Sequence, residues 1–534
     1  MNYNIATILE SIADLDPNRE AVIAGNKRLT FKELDERANR VAHSLEKAGI
    51  GAGDHVGLYL YNCVEFLEVL VGTLKVRAVP ININYRYVED ELVYLFTDAD
   101  LKCVVFNREF ATRLHETAPR TPKVIRYIYV EDGADGSVDG LPNCGEYEAT
   151  LKDSSMARGF PERSSNDLFI VYTGGTTGMP KGVMWRHEDL FYAGLQGGNP
   201  GGEHHETPDL VAKTIAAGEA LGMTFLPAAP FIHGAAQWTA LIGWFGGCKI
   251  IVVPGKSFEP EKVAKAIQDE NATTVTLVGD AMIRPFTDVV KTGKYDLSCL
   301  MVVVSAGAIL SESVKNELQE VLPEAMILNN FGATETGHQG ASFESGENGR
   351  PIFSMDESNG VIDSEMMFVE PGSSKSGNLA RSGRLPIGYY NDPEKTAKTF
   401  VELDGKRWFI SGDIAKVSED GMIEVLGRGA VCINTGGEKV YPEEVEQALK
   451  ECPDVMDVLV VGIDDEKWGQ KVTAVIQPRA GKVLNSEHVI EFCRKKVANY
   501  KVPKHVSFVD SISRHPSGKP DYLWAKTIAE TELG

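Results

Sequence analysis

The 534-residue sequence has few cysteines and no long apolar segment, and each shortage disfavours one class of protein. Its eight cysteines are scattered, without a Cys-x-x-Cys pair or another metal-ligand spacing. In so long a chain this pattern predicts reduced thiols in a cytoplasmic protein, not a disulfide scaffold. No apolar run approaches the ~18 residues of a membrane helix, and the first residues resemble no targeting peptide. We therefore predict no membrane span.

Basic residues are the second shortage. Lys and Arg total 54 against 76 Asp and Glu, which gives a formal net charge of −22. Such a balance disfavours a general nucleic-acid binder, so we predict no nucleic-acid partner. An anionic substrate would then need positive charge concentrated in its own site. The length allows two to four domains, each with its own core.

A loop rich in glycine and threonine, residues 172–182, follows an apolar run at 168–171 that predicts a buried strand. The loop contains four glycines, three threonines and one lysine. Backbone N–H groups can approach a phosphate closely where no Cβ intervenes, so this composition suits a polyphosphate. A polar surface loop is the alternative. Since no Gly-Lys-Ser/Thr closes it, it is not a Walker A loop.

Strands and helices alternate through the first third of the chain. Thr30 and Glu33 form a capping-box pattern ahead of a helix that ends near Gly49. Apolar runs predict strands at 55–60, 78–83 and 103–106, separated by helices at 64–76 and 89–97. This alternation predicts an α/β domain with mainly parallel sheets and flanking helices. We expect the Gly-, Pro- and charge-rich stretch 107–165 to be connecting structure.

Small and polar residues recur where later predicted strands end. Ala306, Gly307 and Ala308 follow a predicted strand at 301–305, where a doubly wound sheet leaves room for a flat base. A tight turn is the alternative. After the strand at 325–329 come an aromatic ring, a glycine, a hydroxyl and a carboxylate, which could stack a base and hold phosphate-bound Mg²⁺. These candidates are Asn330, Phe331, Gly332, Thr334 and Glu335.

The middle of the chain has two histidine sites. His204 and His205 lie in a Gly-rich stretch without a third ligand, so a solvated loop is favoured over a metal site. His233 precedes Gly234 and two alanines, small residues that would leave space for an apolar ligand beside a helix start. A half-buried histidine with ordinary hydrogen bonds is the alternative for His233.

Several blocks in a fixed order, spread over nearly the whole chain, resemble the adenylate-forming superfamily of acyl-CoA synthetases, luciferases and peptide-synthetase adenylation domains. The blocks are residues 172–182, 331–335, 388–390, 408–413, 427–428, 436–439 and 517–519. The resemblance implies the adenylate-forming fold and two half-reactions. A carboxylate attacks the α-phosphate of ATP to give acyl-AMP and pyrophosphate, and a thiol then takes the acyl group. ATP and CoA are implied as substrates, and Mg²⁺ as the metal.

The resemblance also implies roles for particular residues. Thr334 would contact the α-phosphate, and Glu335 would bind Mg²⁺. Lys519 would be the catalytic cation, since an ammonium is a compact charge on a long stem. Nucleotide binding is implied for Thr173, Gly174, Thr176, Thr177, Lys181, Ala306, Gly307, Ala308, Asn330, Phe331, Gly332, Asp413 and Arg428.

By the same resemblance the chain divides into a large AMP- and acyl-binding domain, residues 1–427, and a small mobile α+β domain, residues 428–534. The small domain would rotate between the half-reactions. Gly436, Gly437 and Lys439 would then form the channel for the thiol of CoA. Ala430 stands where the family usually has a charged hinge residue, which leaves the pivot open. Phe331 stands where the family usually has tyrosine.

Residues 436–442 resemble the fatty acyl-CoA synthetase branch, while 184–189 and 432–435 resemble bacterial ligases of fatty or steroid-derived acids. His233, Gly234 and Gly307 are expected to border the acyl pocket. We therefore predict an AMP-forming acyl-CoA ligase of lipid metabolism whose small-molecule substrate is a medium-chain, long-chain or sterol-type acid. A ligase of aryl or other acids, an inactive binding protein and a true P-loop ATPase are the alternatives. A homodimer is left open.

Overall fold

The computed structural model describes residues 2–173, 179–308, 310–342, 352–435, 438–465, 468–515 and 518–533. Helices and strands alternate from the start of the chain. The first part contains α1 (Ile5–Leu15), β1 (Glu20–Ala24), β2 (Lys27–Thr30), α2 (Phe31–Lys47), β3 (His55–Tyr59), α3 (Val64–Lys75), β4 (Val79–Asn82), α4 (Glu89–Asp98), β5 (Leu101–Asn107), α5 (Ala111–Thr117), β6 (Arg126–Val130), β7 (Cys144–Glu146), α6 (Tyr147–Lys152) and β8 (Leu168–Thr173).

Five of these strands form an all-parallel sheet in the order β4-β3-β5-β6-β7. Every residue of β3 is buried, as expected where elements cover both faces of a parallel sheet. The predicted capping box is present at α2: Thr30 Oγ1 accepts from Glu33 N, and the Glu33 carboxylate accepts from Thr30 N. The predicted α/β pattern of the first third is confirmed.

The expectation that residues 107–165 only connect other elements is wrong. α5, β6, β7 and α6 lie in this stretch, and β6 extends the parallel sheet beside β5. Buried Leu114 and Tyr127 belong to the hydrophobic core beneath that sheet. Residues 126–130 are apolar enough to predict a strand. The turn-forming residues that follow them, however, gave the whole stretch 107–165 the composition of a loop.

The middle of the chain supplies the elements around the predicted site. They are β9 (Lys181–Arg186), α7 (His187–Ala193), α8 (Asp209–Thr214), β10 (Thr224–Pro227), α9 (Gly234–Phe245), β11 (Lys249–Ile251), α10 (Pro260–Glu270), β12 (Thr274–Leu277), α11 (Gly279–Lys291), β13 (Val302–Ser305), α12 (Glu312–Val321), β14 (Met326–Ala333), β15 (Gly337–Ser342), β16 (Ile352–Met355), β17 (Asn359–Ile362), β18 (Gly377–Arg381), β19 (Gly388–Tyr389), α13 (Pro393–Thr399), β20 (Phe400–Leu403), β21 (Lys406–Val417) and β22 (Ile423–Arg428).

Within the described residues, fourteen strands join in one long mixed sheet. Its parallel part runs β1-β11-β10-β12-β13-β14, and pairing is antiparallel from β14 through β15 and β16 to β22 and β21. The carboxyl ends of β12, β13 and β14 therefore share one edge of the sheet, where ligands gather in such folds. A separate sheet, β19-β9-β8, carries the loop predicted to bind phosphate.

The last part of the chain folds into a small domain with its own core. It contains β23 (Ile433–Thr435), β24 (Glu438–Val440), α14 (Pro442–Lys450), β25 (Val455–Asp465), β26 (Gly469–Pro478), α15 (Ser486–Arg494), β27 (His505–Phe508) and α16 (Tyr522–Leu533). The strand order is β24-β23-β26-β25, and β27 also pairs with β26. The predicted fold class, a large α/β domain followed by a small α+β domain, is confirmed. Over the described ranges, no helix is long and apolar enough to cross a membrane.

His187 joins the start of the chain to the core of the large domain. It is the first residue of α7 and is fully buried. Its Nδ1 accepts a hydrogen bond from the backbone N–H of Ile5 at 3.0 Å. Burial lowers the pKa of His187 to about 4, so the folded protein keeps this imidazole neutral near pH 7.

We expect the stability of the protein to fall between about pH 6.5 and about pH 4, because the unfolded chain takes up a proton there that folded His187 does not. Below both pKa values the loss amounts to about 3 kcal/mol. His187→Asn, which cannot titrate, should lose less of its thermal midpoint on acidification than the wild type. His488→Asn, at an exposed position on α15, is the control and should behave as the wild type. An unchanged pH dependence in His187→Asn would contradict the assignment.

Candidate active site

The hairpin of β8 and β9 carries the predicted phosphate loop. Thr173, the last residue of β8, pairs with Lys181, the first residue of β9. A hydroxyl and an ammonium therefore stand at the two ends of the loop. The other predicted loop contacts, Gly174, Thr176 and Thr177, lie outside the described residues.

Lys181 is held by a carboxylate that the sequence analysis did not single out. Its Nζ lies 3.0 Å from Asp392 Oδ2, and this hydrogen bond raises the pKa of Lys181. Asp392 also caps α13 by accepting from Lys395 N at 3.0 Å. The sequence does carry one signal for Asp392. It directly precedes Pro393, which is an N-cap pattern, and it lies shortly after the block at 388–390. An incoming polyphosphate would compete with Asp392 for the ammonium.

The predicted adenine-binding residues lie at the shared edge of β13 and β14. Ala306, Gly307 and Ala308 directly follow β13, and Gly307 has a φ of +81° with enough space that an added Cβ would have no neighbour closer than 3.9 Å. Gly332 on β14 has no such space, because a Cβ there would lie 2.2 Å from Gly337 O. Asn330 and Phe331 precede it on the same strand, and both are half-buried.

Thr334 and Glu335 lie in the turn between β14 and β15. Trp185 Nε1 donates to Thr334 O at 2.8 Å, which fixes the turn against β9. Tyr389 Oη donates to Glu335 Oε1 at 3.0 Å. Burial, and then the charge of Glu335, raise the pKa of Tyr389, so this phenol stays a donor. Tyr389 is therefore a direct neighbour of the predicted metal ligand, and the sequence analysis gave this tyrosine no role.

Asp413 and Arg428 are cross-strand partners on β21 and β22. Arg428 Nε donates to Asp413 Oδ1 at 3.1 Å, and Asp413 N donates to Ser411 Oγ at 3.0 Å. The Asp413 side chain is 14% exposed and that of Arg428 is 42% exposed. One carboxylate oxygen of Asp413 and most of the Arg428 guanidinium therefore remain available to a ligand.

Lys519 is brought to these same groups from the small domain. Lys519 is half-buried. Burial, and then the charge of Arg428, lower the pKa of Lys519, while the charges of Glu335 and Asp413 oppose this shift. The structure thus assembles Lys519, Glu335, Asp413 and Arg428, four predicted site residues from three distant parts of the chain.

Lys519 sits on a short hairpin in which Arg514 pairs with Pro520. Arg514 braces this hairpin from within: its Nη1 donates to Gly518 O at 3.1 Å. The rest of its guanidinium forms two hydrogen bonds, of 2.7 and 2.8 Å, to Asp457 on β25. Burial opposes ionisation of Asp457, but Arg514 outweighs it and holds the pKa of Asp457 below its usual range.

A second set of contacts joins Asp457 and the end of α14 to the large domain. Lys450 at the end of α14 lies 2.9 Å from Asp280 Oδ2 and 3.9 Å from Asp457 Oδ1. Arg284 on α11 is buried and donates to Lys450 O and Val455 O, both at 3.2 Å. These buried charges hold the small domain in the orientation that presents Lys519. Sequence reasoning missed them because their spacing in the chain carries no pattern.

His233 and Gly234 lie where α9 begins. His233 is the N-cap residue, and a Cβ on Gly234 would lie 3.5 Å from Val171 Cγ1 of β8. Asn82 ties the two segments together, because its side-chain amide donates to Tyr172 O at 2.8 Å and to Ile232 O at 2.6 Å. The predicted acyl-pocket residues on α9 therefore adjoin the strand that leads into the phosphate loop.

The predicted thiol channel is only partly described. Gly436 and Gly437 lie outside the described residues. Lys439 is exposed on β24, opposite Asn434 of β23. Within the described ranges, Lys439 forms no ion pair with Glu335 or Asp413 and no hydrogen bond with Lys519. The orientation seen here thus brings together the groups implied for the first half-reaction.

Comparison with known families agrees with this assembly. Residues 9–384 match the family described as AMP-binding enzyme, and residues 444–519 match the AMP-binding enzyme C-terminal domain. Members of this family that form AMP use ATP and CoA as substrates in their CoA-ligase reactions.

Curated relatives match over almost the full chain. A 3-oxocholest-4-en-26-oate–CoA ligase of Rhodococcus rhodochrous is 44% identical and is matched over 98% of this chain and 96% of its own. A medium/long-chain-fatty-acid–CoA/3-oxocholest-4-en-26-oate–CoA ligase of Mycobacterium marinum is 43% identical over 99% and 96%. The predicted resemblance to the fatty-acid and steroid branch of acyl-CoA ligases is confirmed by these relatives.

Solved structures agree on the fold. The anthranilate CoA ligase AuaEII bound to anthranoyl-AMP superposes with a TM-score of 0.84 at 22% identity, over 100% of this chain and 98% of that one. ATP-bound MatB from Rhodopseudomonas palustris gives a TM-score of 0.80 at 25% identity, with both chains fully covered. With matches in both domains and close relatives over its whole length, this chain belongs to the AMP-binding enzyme family.

Proposed function

We propose that this chain is an AMP-forming CoA ligase that activates medium-chain, long-chain or sterol-type carboxylic acids in the cytoplasm. The observation that carries the proposal is the convergence of Lys519 from the small domain on Glu335 and Asp413 of the large domain and on Arg428 at the boundary between them. The named activities of the relatives support the acid class. Aryl acids remain the alternative substrate class, and the oligomeric state is left open.

ATP would lie along the edge formed by β13 and β14, with its phosphates on the β8–β9 hairpin. The small residues at 306–308 and the ring of Phe331 would enclose adenine. Asp413 would accept both ribose hydroxyls, and Arg428 would contact the nucleotide. The β- and γ-phosphates would displace Asp392 from Lys181, with loop N–H groups and the hydroxyls of Thr173, Thr176 and Thr177 completing the cradle.

Mg²⁺ would bind through Glu335 and phosphate oxygens. Over the described ranges, no cluster of three or more His, Cys, Asp or Glu residues could hold a metal ion. A single carboxylate suits Mg²⁺ bound to a nucleotide, since this ion keeps waters and takes most ligands from phosphates. The half-buried Glu335 fits, because Tyr389 occupies only Oε1. When bound, the ion would neutralise charge on the departing pyrophosphate.

In the first half-reaction a carboxylate oxygen of the acid attacks the α-phosphorus, the bond to the bridging oxygen breaks, and pyrophosphate leaves. Lys519 would neutralise charge on the α-phosphate and the bridging oxygen, and Thr334 would position the α-phosphate. Such fixed charges act most strongly where water is excluded. Burial, and then the charge of Arg428, lower the pKa of Lys519, whereas the carboxylates of Glu335 and Asp413 favour its cationic form.

In the second half-reaction the CoA thiol attacks the acyl carbon and AMP leaves. We propose that the small domain, residues 428–534, first rotates so that Gly436, Gly437 and Lys439 line the path of the thiol. The short 3-10 turn Gly429–Val431 follows β22 at the start of the small domain and would contain the pivot. The acyl group would lie beside His233, Gly234 and Gly307.

Acid-dependent ATP–pyrophosphate exchange across a panel of acids tests the substrate class. We expect exchange with medium- and long-chain fatty acids and with sterol-type acids, and CoA-thioester formation from the same acids. Benzoate-type and amino acids should be at least tenfold poorer in kcat/KM, about 1.4 kcal/mol of transition-state binding. Activity confined to aryl or amino acids would contradict the proposed class, and no exchange with any acid would favour an inactive binding protein.

Gly518→Ala tests the proposed orientation for the first half-reaction. Gly518 has a φ of +73°, and an added Cβ would lie 2.7 Å from Val278 Cγ1 of the large domain. A clash of this kind costs about 1–3 kcal/mol, so acyl-AMP formation should slow roughly 10- to 100-fold. Thioester formation from supplied acyl-AMP should stay within about twofold of the wild type.

The matched control is Gly481→Ala, in the small domain. Gly481 has a similar φ of +75°, but a Cβ there would have no atom within 4 Å. It reproduces the backbone strain without the contact between domains. Equal slowing of acyl-AMP formation in both variants would contradict the docked orientation.

A further inference from the structure

The ion pair of Lys181 and Asp392 lies at the end of the β8–β9 hairpin where the proposed site would hold the outer phosphates of ATP. Lys181 Nζ is 3.0 Å from Asp392 Oδ2, and the two side chains are 27% and 19% exposed. Water therefore reaches both partners. An ion pair that water can reach contributes little free energy, so another anion can take the place of Asp392.

The two partners differ in how firmly they are held. Asp392 Oδ1 accepts from Lys395 N at 3.0 Å, as the N-cap of α13. The backbone oxygen of Asp392 accepts from Thr396 N at 3.0 Å and from Thr396 Oγ1 at 2.8 Å. Thr396 Oγ1 also accepts from Tyr389 N at 2.9 Å, which ties the start of α13 to β19. The ammonium of Lys181, in contrast, ends a flexible four-carbon stem, so Lys181 can move to a new anion while Asp392 stays in place.

Asp392 keeps its negative charge whether or not Lys181 is beside it. The hydrogen bond from Lys395 N, and then that from Lys181, hold the pKa of Asp392 below its usual range against the opposing effect of burial. The larger of the two favourable contributions comes from a backbone N–H group of α13 and does not depend on Lys181. Asp392 is therefore a fixed anion at this end of the hairpin.

A fixed anion at this position opposes the binding of any polyphosphate to Lys181. The incoming phosphates would take the cation away from Asp392 and would then lie close to its negative charge, and like charges repel. ATP and pyrophosphate would be weakened alike, because the first half-reaction changes the α-phosphate and leaves the other two phosphates at Lys181. AMP lacks these two phosphates and would not meet Asp392.

We propose that Asp392 promotes the release of pyrophosphate by recapturing the ammonium of Lys181. The proposal rests on the proposed function and deepens it, because it assigns the step that follows acyl-AMP formation to a residue of this chain. Release then exchanges one ion pair for another and leaves no unpaired charge on the hairpin. Asp392 acts through Lys181 and is a positioning residue.

Asp392→Asn tests the proposal, because asparagine is as good an N-cap as aspartate but carries no charge. Calorimetry in the presence of Mg²⁺ should show pyrophosphate binding about fivefold more tightly to the variant than to the wild type, since the competing anion is gone. AMP should bind to the variant within about twofold of the wild type. A variant with a damaged helix would bind pyrophosphate less tightly, so the gain in affinity separates the proposed role from a structural one.

Glu394→Gln is the matched control in the first turn of the same helix. Glu394 pairs with Lys398, and its side chain is 79% exposed. The substitution removes the same charge from α13 at a position screened by solvent, so both affinities should stay within about twofold of the wild type.

Unchanged or weaker binding of pyrophosphate to Asp392→Asn would overturn the proposal. An equal gain in the affinity for AMP would also overturn it, because Asp392 would then act on the whole site and not through Lys181. Wild-type protein that binds neither pyrophosphate nor AMP would contradict the proposed function itself, and the role of Asp392 would fall with it.

Discussion

The buried charges between the two domains are the constraint on which the assembled site depends. Asp280 of the large domain pairs with Lys450, Lys450 approaches Asp457, and Asp457 holds Arg514, whose guanidinium braces the hairpin of Lys519. Charges this deeply buried are expensive to leave unpaired, by about 3–5 kcal/mol when one partner is removed. Separating the domains would expose Asp280 and Lys450 to water, so these two charges would not prevent the proposed rotation of the small domain.

The proposed mechanism divides the work between the two ends of ATP. Lys181 starts from an ion pair with Asp392, which suits a residue that would exchange one anion for another as nucleotide binds and pyrophosphate leaves. Within the described part of the chain Lys519 forms no such ion pair, and Glu335 and Asp413 favour its charge against burial and Arg428. Its cation would therefore be available to the α-phosphate while the small domain is docked. The proposed movement of that domain would remove the charge that favours acyl-AMP formation before the thiol reacts.

Much of the fold could be predicted from the sequence, because its elements carry local signals. The capping box of Thr30 and Glu33 and the helix Val64–Lys75 could be predicted from neighbouring residues in the chain alone. The blocks around Glu335, Asp413 and Lys519 were found because their order resembles a family. Asp392 and Arg284 could not be found in this way. Each contacts a partner that is distant in sequence, and a single charged residue produces no periodic pattern from which such a contact could be predicted.

We propose that the docked small domain supplies Lys519 to acyl-AMP formation and to no later step. Separate single-turnover assays of the two half-reactions with Lys519→Ala measure this directly. We expect acyl-AMP formation to fall by about 100-fold or more, while CoA-thioester formation from supplied acyl-AMP stays within about threefold of the wild type. Equal losses in the two half-reactions would contradict it.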